Sequence, residues 1–107
     1  MAQVIETNQD LVLVLSWREQ VGAFHKSIRV PKSYLDSVKE VENPWSGPDG
    51  MKGFRAPGTG IPGVVMLGTL RGSRGKDFAA VYGKGRAKVY EFSSGPFRRW
   101  ILSDSEL

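Results

Sequence analysis

The 107-residue chain reads as one mainly β domain, a small antiparallel β-barrel or two-sheet sandwich with one short helix near residues 17–24. Three observations predict this. Short apolar runs alternate at period two, glycine and proline punctuate them at close intervals, and only one segment repeats its apolar residues at helical spacing. At this length there is room for one core, so residues 1–107 form a single domain.

LVLVLSW at 11–17 puts Leu11, Leu13, Leu15 and Trp17 on one face and Val12 and Val14 on the other, a strand buried on nearly both sides. The ten residues before it read as a frayed N-terminus. Ser16 then precedes Glu19 by three, a capping-box spacing, and Trp17, Val21 and Phe24 recur as one helical face. So short a helix depends on burying those three side chains. SIRVP at 27–31 ends on a proline that cannot donate to a ladder, which predicts an edge strand. A turn at 32–36 leads to a short strand carrying Val38 and Val41.

Residues 43–63 hold four prolines and a dense run of glycines without periodicity, and read as one long Gly/Pro-rich loop. Beyond it VVMLGTL, KDFAAVYG and AKVYEFS follow as an antiparallel meander with glycine-bearing turns, and FRRWILS closes the series with Trp100 and Leu102 on one face, Phe97 and Ile101 on the other. SDSEL repeats the capping-box spacing at the end of the chain, as a frayed end or a helix start.

The chemistry available is narrow. Cysteine is absent and histidine occurs once, as His25, so neither a thiolate nucleophile nor a zinc site of three or four protein ligands can be assembled. No serine sits in a GxSxG elbow. The expectation is a protein that is not an enzyme, with no catalytic residue, no metal and no cofactor. No apolar run approaches the roughly 20 residues of a membrane helix, and MAQVIETNQD has no secretory pattern, so a soluble, cytoplasmic protein without a membrane span is expected.

Net charge is +4, but residues 52–100 carry +8 of it against −2 for residues 1–51. A ligand site for an anion is therefore sought in the basic half: Arg55 with Gly58, Thr59 and Gly60 as a backbone nest, and Arg71 and Arg74 at the following turn. GTGIPG has the glycines of a dinucleotide fingerprint but not the helix that motif needs. RGSRGK and KGRAK fall at successive turns, hence at opposite ends of a sheet, and Phe78, Tyr82, Tyr90 and Phe92 are the strand aromatics that could stack bases or fill a core.

VGAFHKSIRVPKSYLDSV, FRAPGTGIPG and GKDFAAVYG together resemble a group of small uncharacterised bacterial proteins, chiefly actinobacterial, that share an RAPGTGxPG loop. The chain is similar, more weakly, to bacterial pleckstrin-homology-like domains. The first resemblance implies a bacterial cytoplasmic protein and brings no activity. The expected function is a binding or protein-interaction module for an unknown protein or anionic ligand, with nucleic-acid binding through residues 52–100 as the alternative. Homo-oligomers are expected to form, if at all, through an edge strand after Pro31 or through FRRWIL.

Overall fold

The computed structural model describes residues 2–23, 25–45, 54–61, 63–72, 75–83 and 85–103. Nine strands and one helix succeed one another: β1 Gln3–Glu6, β2 Asp10–Val14, α1 Trp17–Ala23, β3 Ile28–Pro31, β4 Leu35–Val41, β5 Phe54–Ile61, β6 Val65–Gly72, β7 Gly75–Tyr82, β8 Ala87–Phe92 and β9 Arg99–Ser103. They build two sheets, β1-β2-β3 and β4-β8-β9-β7-β6-β5. Neither closes on itself, so the architecture is sandwich-like and the barrel expectation is set aside.

The small sheet lays Leu11, Leu13, Ile28 and Val30 against Leu67, Phe78, Ala80, Trp100 and Leu102 of the large one, and this interlayer is the main core. Strand β2 is one-sided, because Val12 is only half-buried and Val14 is exposed. The N-terminal residues are not frayed: β1 pairs antiparallel with β2 from Gln3↔Val14 to Glu6↔Leu11, and Ala2 is buried. Its outer side chains are polar or exposed, which removed the apolar signal of a strand. β3 lies at an edge, as its terminal Pro31 requires.

The outer face of the large sheet is apolar too, with Leu70, Ala79, Val81, Val89 and Ile101 packed beneath Trp45 and Val41. Trp45 Nε1 donates to the Gly83 carbonyl at 2.7 Å, which fastens the chain after β4 onto this face. A strand buried on both faces must read as continuous apolar sequence, and Phe78-Ala79-Ala80-Val81 in β7 does.

Two further expectations change. The meander holds for β6 and β7 only, because β9 inserts between β7 and β8, parallel to β7 and antiparallel to β8. The ends of β7 and β8, Tyr82 and Ala87, therefore stand two strand spacings apart, about 10 Å, within reach of the four intervening residues. The RWIL part of FRRWIL, in β9, consequently lies inside the sheet and offers no edge for a second copy. Phe97, expected beside Ile101, precedes β9 and packs in the interlayer core with Trp100.

The long loop is the second change. Residues 54–61 of the segment expected to be loop are strand β5, antiparallel to β6 with a bulge between Arg55 and Gly58. Gly58 has φ +151, and a Cβ there would stand 2.2 Å from the Leu67 carbonyl oxygen. Proline and glycine, which disguise this strand in the sequence, are what a bulged edge strand requires.

Candidate functional site

Helix α1 is oriented opposite to its apolar pattern. Glu19 is only 3% exposed, while Trp17 and Val21 are 70% and 63% exposed. The capping box forms as its spacing predicts, with Ser16 N–H donating to Glu19 Oε1 at 2.9 Å and Glu19 N–H to Ser16 Oγ at 3.2 Å. The other carboxylate oxygen accepts the Tyr82 hydroxyl at 2.6 Å. Burial, then the hydrogen bond and charge of Glu19, push the Tyr82 hydroxyl well above its ordinary pKa of 10.0. With two of its polar contacts directed inward, the carboxylate turns the apolar side chains of the helix outward. Phe24, the third residue of the expected buried face, lies outside the described residues.

The position of α1 follows from these bonds. The helix packs on β5 and β6. Tyr82 stands opposite Val65, and Gly83 N–H donates to the Val64 carbonyl at 2.8 Å, so the start of the helix sits at the β5–β6 turn. Ile61 and Val64, 53% and 58% exposed, occupy that turn. Trp17 and Val21 line a shallow depression with Gln20, His25 and Lys26.

The exposed charge of α1 and of the segment from β5 to the end of β7 is basic. From β5 to the end of β7 the only carboxylate is Asp77, and α1 holds only Glu19; both are buried and engaged. Arg18, its guanidinium carbon 5.5 Å from the Trp17 ring centroid, and Lys26 are exposed beside the helix.

A second arrangement crosses the large sheet in register: Ser37, Glu91, Arg99, Asp77, Leu70 and Arg55 occupy one row over all six strands. Asp77 Oδ2 accepts Arg98 Nη2 at 3.0 Å, Arg99 Nη2 at 2.8 Å and Arg99 Nε at 3.1 Å, whereas Oδ1 is buried without a donor among the described residues. The Ser37 hydroxyl donates to Glu91 at 2.7 Å and is the chief cause of a carboxyl pKa held below its usual value, assisted by the Lys39 and Arg99 charges and opposed by partial burial.

The residues predicted for an anion nest are distributed differently. Gly58, Thr59 and Gly60 pair with Gly68, Leu67 and Met66, so their N–H groups alternate sides along an extended strand instead of converging as a nest requires. Arg55 and Arg71 fall on adjacent rungs, opposite Leu70 and Phe54. The side chains of Arg55 and Thr59, and all of Arg74, lie outside the described residues.

His25 packs edge-on against Phe78 and Phe97 at centroid distances of 5.6 and 5.5 Å, with Nδ1 2.7 Å from the Lys26 carbonyl oxygen. Phe78, Phe92, Tyr82 and Tyr90 all belong to the interlayer core or pack against it. Arg71 and Lys76 lie at one end of β7 and Arg86 near the other, so the two basic turns are separated by the length of the strand.

Sequence reasoning missed Glu19 and Asp77 as buried groups. Asp77 carried a signal, being the lone acid among ten basic residues from 52 to 100 apart from Glu91. Among the described residues there is no group of three potential metal ligands, and no helix long and apolar enough to cross a membrane. Comparison with protein-family models, curated proteins and solved structures finds no match to this chain.

Proposed function

We propose that this protein is a non-enzymatic interaction module of the bacterial cytoplasm that docks a partner protein on α1 and the β5–β6 turn. The observation that carries the reading is the exposure of Trp17 and Val21, four residues apart on one helix face. Tryptophan provides a large amphipathic contact at low entropic cost and is enriched at interface hot spots. Arg18 and Lys26 form a basic rim with no exposed carboxylate on the helix, so the partner surface is an apolar patch bordered by Asp and Glu.

The single histidine is occupied in packing, which supports a binding rather than a catalytic role. The alternative of nucleic-acid binding loses its stacking surface, because the four strand aromatics face the core. The resemblance to proteins with an RAPGTGxPG segment enters this proposal as a shared fold in which the motif encodes the β5 bulge and Gly58 its close approach to β6. The weaker likeness to pleckstrin-homology-like domains bears on fold alone and adds no ligand.

The test is affinity capture from a bacterial lysate with the parent chain and a Trp17→Ala/Val21→Ser variant of matched circular dichroism. The proposal expects specific polypeptides held by the parent and released by the variant. Equal retention by both removes the helix face from the account, and retention of RNA or DNA that falls steeply with salt favours the alternative.

A further inference from the structure

We propose that the cleft between the start of β7 and the turn at residues 93–98 binds a phosphoryl group, a site separate from the α1 docking face. Lys76, Ser93, Ser94, Gly95, Phe97 and Arg98 line it, and no carboxylate does. Lys76 Nζ lies 5.5 Å from the Phe97 ring centroid, a cation held over an aromatic face, and makes no ion pair among the described residues. Asp77, next to Lys76 in sequence, is turned into the sheet and shared by two guanidinium groups, so it does not offset the Lys76 charge.

The turn is built to hold its shape. Ser93 N–H donates to the Tyr34 carbonyl at 2.8 Å, and Arg98 N–H to the Lys76 carbonyl at 2.7 Å. Gly95 has φ +98, and a Cβ at this position would meet the Tyr34 ring at 3.0 Å, so glycine lets the turn lie directly on that ring. Between these anchors the N–H groups of Ser94 and Gly95 donate to no acceptor among the described residues. Arg98 spends Nη2 on Asp77, and its Nε is buried with no partner among the described residues.

The Lys76 ammonium, the Ser94 hydroxyl and the free N–H groups of Ser94 and Gly95, beside the Arg98 guanidinium, match a tetrahedral dianion better than a planar carboxylate, while the Ser93 hydroxyl is spent on the Tyr34 carbonyl at 3.3 Å. Because Ser93 to Pro96 are exposed, the cleft accepts the terminal group of a larger molecule rather than enclosing a metabolite. A phosphomonoester is that group, whether on a small soluble molecule or on a lipid headgroup.

The test is a ¹H–¹⁵N NMR titration with inorganic phosphate at constant ionic strength, paired with sedimentation on phosphatidylcholine vesicles with and without phosphatidic acid. The expected result is saturable movement of the Ser94, Gly95 and Phe97 amides, and binding weakened about tenfold by Lys76→Gln, the worth of one charge-assisted hydrogen bond. Co-sedimentation with phosphatidic acid that Lys76→Gln abolishes assigns the group to a lipid; a response to phosphate without co-sedimentation assigns it to a soluble phosphomonoester. Silence of these amides together with no phosphatidic-acid-dependent co-sedimentation, or unchanged binding by Lys76→Gln, overturns the proposal.

Discussion

The Tyr82 hydroxyl donates a 2.6 Å hydrogen bond to the Glu19 carboxylate, joining α1 to the end of β7. Tyr82→Phe leaves a buried carboxylate oxygen without its donor, and an unsatisfied buried acceptor costs about 1–3 kcal/mol. Urea unfolding of the two proteins should show a lower midpoint with an unchanged slope.

The same pair sets an alkaline limit. The folded state raises the Tyr82 pKa above the unfolded value of 10.0, so folding favours the protonated phenol. Its contribution is complete below the unfolded pKa and is lost as pH rises through the folded one. Stability should fall above about pH 10, and Tyr82→Phe should flatten that fall; an identical alkaline slope in the variant contradicts the assignment.

At the acid end, Glu91 has a folded pKa below its unfolded value, chiefly through Ser37. The resulting stability is present above the unfolded pKa and disappears as pH drops through the folded one. Ser37→Ala should move the Glu91 carboxyl titration upward by NMR. Because Glu91 is partly exposed, the stability lost should stay below about 1 kcal/mol.

Asp77→Ala should be far more damaging. It leaves Arg98 and Arg99 without their shared acceptor in the sheet, and breaking a buried ion pair from one side costs about 3–5 kcal/mol. Thermal denaturation should show a large fall in midpoint or an unfolded protein.

Gly58→Ala tests the bulge. An added methyl meets the Leu67 carbonyl oxygen and a φ of +151 together, so β5 must shift from β6. Hydrogen exchange should show loss of amide protection along both strands, with the β7–β9 amides retaining theirs.

What was legible in the sequence was legible through periodicity. Leu11 and Leu13 in β2, Val89 in β8, and Trp100 and Ile101 in β9 all alternate at period two, and their faces follow from that spacing. The capping box placed α1 to within a residue. Strand order was not legible, because insertion of β9 beside β7 is a contact between segments far apart in sequence, and local pattern does not encode it. Strand β5 was hidden by Pro57 and its glycines, tolerated here because β5 is an edge. The orientation of α1 was misread because apolar spacing marks a face without saying whether protein or solvent covers it; here the fixed partner is a carboxylate, bonded to Tyr82 from 63 positions away in the chain. The basic candidates Arg55 and Arg71 were brought to adjacent rungs, but the cleft at 93–98 carried no sequence signal beyond a serine-glycine turn.

The most direct test is the unfolding free energy of Trp17→Ala set beside that of Glu19→Ala. An outward Trp17 predicts a change within about 0.5 kcal/mol for the first, and a clear loss for the second through the missing capping and Tyr82 bonds. A loss of about 3–5 kcal/mol for Trp17→Ala, the cost of emptying a core tryptophan site, would show the helix facing the other way and end the case for its docking surface.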